Sequence, residues 1–185
     1  MAVISILISL ITSIFIGGGG VGIVPPIGCI TNGSQNFVNN VENVNATLHA
    51  NPFVILDSGE YLIISSNDDL EAMFASVMAE LKERETDTVL PNDFFENFER
   101  EMRANFRRFN SRFFHDSTLV IAHVDSGSGN VNYTLTNLTQ TGGTLTATIT
   151  RNSPPINTMD FVNFVMFLEL DSIAFNATSV VVNLV

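Results

Sequence analysis

Apolar residues repeat with a helical period in the middle of this chain. Between residues 67 and 84 they recur every three or four positions, after a run of Ser, Asn and Asp that is typical of a helix N-terminus. A second series begins after a cap at Asn92 or Asp93 and spans five turns. Its apolar positions are Phe95, Phe98, Met102, Phe106, Phe109 and Phe113. The pattern therefore predicts two amphipathic helices, the second one continuous.

From Thr118 onward the period changes to two residues, which indicates strands with one face exposed. Turns rich in Gly, Ser and Pro separate the apolar runs. The predicted strands are 118–124, 131–136, 145–149, 162–170 and 179–185. An earlier hairpin is predicted from 53–56 and 61–64, on either side of a turn at 57–60. Helices followed by a series of strands predict an α+β fold, an antiparallel meander or a small sandwich with one helix packed on the sheet.

Charge and composition narrow the function classes. The chain has 185 residues, which is a one-domain length, and its 45% of hydrophobic residues exclude an acidic disordered chain. Eight Lys and Arg against nineteen Asp and Glu give a net charge of −11. A protein of this charge is repelled by nucleic acid, so we expect no nucleic-acid partner.

The N-terminal segment has the composition of an export signal. Residues 3–16 are apolar apart from Ser and Thr, and four glycines follow at 17–20. We therefore expect a signal peptide or membrane anchor over residues 1–28. Residues 29–50 are rich in Asn and predict a polar tether that can hold a first strand near its end. Residues 51–185 are then a single α+β domain of a secreted or surface protein, tethered to the membrane through its N-terminal segment.

Cys29 is the only cysteine, so no intrachain disulfide can form. The stretch Pro26–Cys29 resembles a bacterial lipoprotein box, with Gly28 before the cysteine and Pro26 where an aliphatic residue is usual. Lipidation of Cys29 is one hypothesis. The other is a thiol in a segment that is cleaved off or sits in the membrane.

The chain has two short clusters that combine a histidine with an acid, at His115–Asp116 and at His123–Asp125. Residues two apart on a strand share a face, so we expect His123 and Asp125 on the same side of the sheet. Neither cluster has the three or four ligands of a metal site, and we predict no metal and no cofactor. A hydrolytic set can be drawn from Ser126, His123 and Asp160, although no G-x-S-x-G motif is present.

Residues 113–172 carry turn and strand-edge motifs that resemble a known family. The matching positions are Phe113-Phe114, Ser117, Leu119-Val120, Gly127-Ser128-Gly129, Gly142-Gly143, Pro154-Pro155, Thr158-Met159-Asp160 and the run from Phe167 to Asp171. This third of the chain is similar to the C-terminal domain of PrcB-like protease-complex accessory subunits and to secreted proteins of clostridial type. It has Phe164 where the family would carry Trp.

The resemblance implies a small non-catalytic module that binds or stabilises a partner protein at the cell surface. Loops on a rigid sheet are where binding residues concentrate, so the expected contact edge is 126–130 together with 154–160. The candidate binding residues are Ser126, Gly127, Ser128, Gly129, Thr158 and Asp160. Two alternatives stay open: a small extracytoplasmic hydrolase that uses His123 and a nearby acid, and an envelope scaffold without a specific partner.

Overall fold

The computed structural model describes residues 37–50, 56–84, 93–127, 130–153 and 162–185, which hold three helices and eight strands. The helices are α1 (Asn67–Arg84), α2 (Phe94–Asn105) and α3 (Ser111–Asp116). The strands are β1 (Phe37–Asn39), β2 (Asn45–Ala50), β3 (Tyr61–Ile64), β4 (Ser117–Gly127), β5 (Asn132–Thr141), β6 (Thr144–Asn152), β7 (Val162–Asp171) and β8 (Ser179–Leu184). The predicted α+β class is confirmed.

The strands form two four-stranded sheets. The central sheet has the order β2-β7-β4-β3, and the outer sheet has the order β1-β5-β6-β8. One apolar core lies between the helices and the central sheet, and a second core lies between the two sheets. The architecture is therefore a sandwich with a helical layer on one side. Both edges of the outer sheet are parallel pairs, β1 with β5 and β6 with β8, so the sheet is not a pure antiparallel meander.

The central sheet is covered on both faces, and its two inner strands are buried over most of their length. In β7 every residue from Val162 to Leu168 is buried, and in β4 the same holds from Thr118 to Val124. Alternate residues enter different cores: Ile121 and Phe167 pack under the helices, whereas Val120 and Phe164 face the outer sheet. A strand buried on both sides loses the polar alternation of an exposed strand, which explains these long apolar runs.

Helix α1 has the bounds that the hydrophobic pattern predicts. Ser66 begins it: its Oγ accepts the Asp69 amide at 3.1 Å, while the Asp69 carboxylate accepts the Ser65 amide at 3.0 Å. These two bonds satisfy donors that a helix N-terminus otherwise leaves open. All six residues of the predicted apolar stripe are buried: Leu70, Met73, Phe74, Val77, Met78 and Leu81.

The prediction of one continuous second helix is wrong. Helix α2 ends at Asn105, and α3 begins only after a tight turn whose Phe109 amide donates to the Phe106 carbonyl at 2.9 Å. The Asn110 side chain then caps α3, accepting the amide of Arg112 at 3.0 Å. The turn still buries Phe106 and Phe109 in the helix-side core. The apolar spacing is thus satisfied by two helices that a capped turn joins.

Strands begin within the segment that the sequence predicts to be a tether. Within 29–50, residues 45–50 form β2 and pair with β7, while 37–39 form β1 and pair in parallel with β5. The first strand of the predicted early hairpin falls mainly on 53–55, outside the described residues. The signal or anchor prediction for 1–28 also lies outside them. Among the described helices, none is long and apolar enough to cross a membrane.

Candidate functional site

A β-bulge in β4 shapes the candidate site. His123 pairs with Val165 of β7, yet Asp125 already pairs with Phe164, so Val124 is an extra residue in the strand. A bulge reverses the alternation of side chains beyond it. His123 consequently lies on the helix side with Ile121, while Asp125 contacts Tyr133 in the outer sheet. The expectation that His123 and Asp125 share a face is wrong.

The same bulge brings His123 and Ser126 together. His123 Nε2 lies 3.0 Å from Ser126 Oγ, and the two belong to the same face of the central sheet. The imidazole is 8% exposed, whereas Ser126 lies at the surface. Burial lowers the pKa of His123 below its usual 6.5. The negative charges of Asp125, Asp57 and Glu60 raise the pKa, but by less than burial lowers it. His123 is therefore a neutral hydrogen-bond partner for Ser126 at pH 7.

Asp125 is the centre of a polar network between the two sheets. Its Oδ2 accepts the Tyr133 hydroxyl at 2.8 Å and the Arg151 Nε–H at 2.9 Å, and its Oδ1 accepts the Ser126 amide at 2.8 Å. Burial and the Asp125 carboxylate raise the pKa of Tyr133, so the phenol stays a donor. The network joins β4 to β5 and β6. It holds the end of β4, where the candidate loop begins, in one position.

Two of the six candidate binding residues lie in the described part of the chain. Ser126 and Gly127 end β4, opposite Asn163 and Val162 at the start of β7. A Cβ added to Gly127 would meet the Arg151 guanidinium at 3.5 Å, which is an ordinary contact. The other candidates are outside the described residues, as is the lipidation candidate: Ser128, Gly129, Thr158, Asp160 and Cys29.

A second buried histidine was not singled out from the sequence. His49 of β2 pairs with Val165, the residue that also pairs with His123, so the two histidines flank one position of β7 on the same face. His49 Nε2 lies 2.8 Å from Thr47 Oγ1, and its ring centroid is 4.3 Å from that of Phe167. Burial, together with the positive charge of Arg108, lowers its pKa to about 4.

No sequence motif marks His49, because its role follows from strand pairing between distant segments. The alternation of Thr47 and His49 within an Asn-rich stretch is the one local signal. Within the described ranges no three His, Cys, Asp or Glu side chains are arranged to hold a metal ion.

A small cavity lies at the opposite end of the sandwich. Its volume is about 210 Å³, and Asn43, Gln140 and Asp171 contribute polar groups to it. The apolar lining residues are Val44, Leu138, Leu145, Leu170, Ala174 and Phe175. Ligand pockets usually measure roughly 300–1,000 Å³, so this one suits a single small apolar group.

Comparison with known proteins gives no relative for this chain. No family model, no curated protein and no solved structure matches it.

Proposed function

We propose that this protein is a non-catalytic, exported or surface-anchored domain that binds a partner protein through the loops at the His123 end of its sandwich. One observation carries the proposal: Gly127 and Val162 are register partners on adjacent strands. The segment after β4 therefore begins beside the point at which the segment before β7 ends. These are the two segments in which the sequence placed its candidate binding residues.

The anchoring of this edge supports the proposal. Asp125 receives three hydrogen bonds from β5, β6 and its own strand, and the bulge residue Val124 is buried between the sheets. A binding surface gains affinity when its loops are held in place before the partner arrives, because less conformational entropy is lost on binding. Ser126, exposed beside this network, is a described residue of the proposed contact.

The resemblance of residues 113–172 to accessory subunits of protease complexes supports the choice of a protein partner. It agrees with the apolar, uncharged segment at 3–16 that favours export or anchoring. The partner would meet the module at the cell surface.

Site-specific photo-crosslinking in the native cell tests the proposal. In the test variant a photoreactive residue replaces Ser126 in the full chain. In the matched control it replaces Thr139, which is also exposed and lies near the C-terminal end of β5, far from the proposed contact. The two positions are about 20 Å apart along the strands. We expect one discrete crosslinked protein from position 126 and none from position 139.

A second variant links the crosslink to the loops. The photoreactive residue stays at position 126, and replacing 127–130 and 154–160 with Gly-Ser sequences of equal length should abolish recovery of the crosslinked protein. The proposal is wrong if recovery is unchanged. Equal labelling of abundant neighbours from positions 126 and 139 would instead favour an envelope scaffold without a specific partner.

The hydrolase alternative keeps one specific observation in its favour. The 3.0 Å contact of His123 Nε2 with Ser126 Oγ is the geometry of a general base beside a nucleophile. Two features oppose it. Asp125 is engaged by Tyr133 and Arg151 on the other face of the strand, and the Ser126 amide donates to Asp125, so it is not free to stabilise an oxyanion.

Labelling of the full chain with a fluorophosphonate separates the two functions. A hydrolase would form an adduct on Ser126 that His123→Gln removes and that Ser126→Ala cannot form. The binding proposal expects no adduct on Ser126 in the wild type. A serine hydrolase labelled under the same conditions is the positive control, because it shows that the reagent is active.

A further inference from the structure

The cavity at the end of the sandwich away from His123 is built from separate segments of the chain. Its volume is about 210 Å³. The lining residues come from the turn before β2, from the β5–β6 hairpin and from the chain around the end of β7: 43–44, 138–140, 145, 170–171 and 174–175. Both sheets therefore contribute to the cavity, which is distinct from the loops at the His123 end.

Hydrogen bonds hold the walls of this cavity in place. Gln140 Nε2 donates to the Ala174 carbonyl at 3.3 Å and to Asn176 Oδ1 at 2.6 Å, and Gln140 Oε1 accepts the Asn176 amide at 3.2 Å. In the turn before β2, Asn39 Nδ2 donates to the Val44 carbonyl at 2.7 Å. The walls are therefore preformed, so a ligand does not have to order them on binding.

The interior of the cavity is apolar and has room for one ring. Leu145 and Leu170 are buried in the inter-sheet core, and Leu138 and Phe175 pack against that core while partly exposed. A dry apolar cavity of about 150 Å³ is large enough to hold benzene. The 210 Å³ of this cavity can therefore take a six-membered ring together with a short substituent.

The charge at the mouth of the cavity is negative. Asp171 is the one charged residue among the described residues that line it, and Asp171 is exposed to solvent. Its Oδ1 accepts the Ile173 amide at 2.8 Å, whereas its Oδ2 has no hydrogen-bond partner within the described ranges. The neighbouring Glu169 pairs with Arg108 at 2.8 Å on the helix side of β7, so the charge of Arg108 is balanced there. Asp171 Oδ2 can therefore accept a hydrogen bond from a cation.

We propose that this cavity binds a free organic ammonium ion whose apolar body is the size of one six-membered ring. The ring would occupy the space between Leu138, Leu145 and Phe175, and the ammonium group would donate to Asp171 Oδ2. Other ligand classes fit less well. The Asp171 carboxylate repels an anion, and a metal ion would find a single carboxylate and an apolar lining.

Methyl NMR titration of the full chain in a non-ionic detergent tests the proposal, with the free probe concentration set by dialysis. The probes share one ring and differ in charge: benzylammonium, benzyl alcohol and benzoate. Benzylammonium should shift the methyl signals of Leu138, Leu145 and Ala174 and leave that of Ile121, in the helix-side core, unchanged. It should bind about three- to fivefold more tightly than benzyl alcohol, as expected for an ion pair at the surface. Benzoate should bind more weakly than either.

Two variants separate the charge of the site from its shape. Asp171→Asn keeps an acceptor for the Ile173 amide, so it should weaken benzylammonium about three- to fivefold and leave benzyl alcohol unchanged. Ala174→Trp fills the cavity from an exposed position and should weaken both probes at least about tenfold. Ile173→Trp is the matched control and should bind both probes as the wild type does, because Ile173 is 94% exposed and is not a lining residue.

Three results would overturn the proposal. The first is a wild type whose cavity methyl signals do not respond to benzylammonium, or respond equally to benzyl alcohol at the same free concentration. The second is equal weakening by Ala174→Trp and Ile173→Trp, which would place the bound probe outside the cavity. The third is tighter binding of N-acetyl-lysine amide than of benzylammonium, which would assign the site to a lysine side chain of a partner protein.

Discussion

At the scale of single residues, His49 is a neutral imidazole in an apolar environment. It is 6% exposed, contacts the Phe167 ring and makes one hydrogen bond through Nε2, while its Nδ1 has no partner among the described residues. Arg108 adds a positive charge nearby and pairs with Glu169 at 2.8 Å. Protonation of His49 would therefore place a positive charge in a buried site, close to the positive charge of Arg108.

Acid should destabilise the protein through this residue. The pKa of His49 is about 4 in the folded chain against 6.5 for an exposed histidine, so the unfolded state binds the extra proton first. The contribution to stability is fully present above pH 6.5 and is lost as the pH falls towards 4. The free energy of unfolding should fall by up to about 3 kcal/mol over this pH range. Burial of His123 acts in the same direction.

Denaturant unfolding of wild type and His49→Gln at several pH values between 7 and 4 measures this effect. The variant should lose less stability over that range than the wild type. His115→Gln is the control, because the His115 side chain is 81% exposed, and it should follow the wild type. Identical slopes for wild type and His49→Gln would contradict the assignment.

Tyr133 tests the network around Asp125. Tyr133→Phe removes the 2.8 Å hydrogen bond to Asp125 and leaves a partly buried carboxylate with one donor fewer, which should cost about 1–3 kcal/mol of unfolding free energy. The chain has two tyrosines, and Tyr61→Phe is the control, since within the described ranges the Tyr61 hydroxyl makes one long, exposed hydrogen bond, 3.4 Å to the Thr178 carbonyl. Thermal unfolding compares them. Equal losses would show that the Asp125 network adds no stability.

Sequence reasoning selected Ser126 and His123 and missed their relation to Asp125 and His49. Residue type identifies groups capable of chemistry, but a single inserted residue such as Val124 decides which face they occupy. Strand pairing between segments more than a hundred residues apart places His49 and His123 on either side of Val165. Neither fact has a local signature in the chain.

At the scale of elements, turn chemistry was the more reliable guide. Gly142 and Gly143 have φ angles of 59° and 80° and close the tight β5–β6 hairpin, as the Gly-Gly pair predicts. The helix period, in contrast, did not reveal the interruption between α2 and α3. Phe98, Met102, Phe106 and Phe109 keep the apolar spacing through the turn, so the stripe alone cannot distinguish one helix from two.

The cap of α3 provides a test of this interruption. Asn110→Ala should destabilise the protein by about 1 kcal/mol, because the amides of Arg112 and Phe113 lose their acceptor at the helix start. Asn110→Asp keeps an accepting oxygen and should retain wild-type stability. If α2 and α3 instead formed one helix, Asn110→Ala would be stabilising, since Ala is the better residue inside a helix. Chemical denaturation measures the sign.

At the scale of the whole molecule, the central sheet belongs to both cores. Leu119 and Phe167 pack under the helices, while the next residues of the same strands, Val120 and Leu168, pack against the outer sheet. A structure of this kind cannot lose one core without exposing one face of β4 and β7. We therefore expect the described domain to unfold as one cooperative unit.

Two probes can follow the two cores separately. The chain lacks Trp, and Tyr133 and Tyr61 both pack in the inter-sheet core, so tyrosine fluorescence reports that core while circular dichroism at 222 nm follows mainly the helices. Phe106→Ala in the helix-side core and Leu135→Ala between the sheets should each cost about 2–5 kcal/mol and shift both probes together. Separate transitions would show that the cores unfold independently.

The sequence by itself determined the α+β class, helix α1, the buried character of β4 and β7, and the tight turn at Gly142. These features depend on residues close together in the chain, so periodicity and turn chemistry are sufficient. The tertiary structure decided the division into two sheets, the inclusion of residues 37–50, the face of Asp125 and the burial of His49. Each of these depends on strand register between distant segments, which no local pattern specifies.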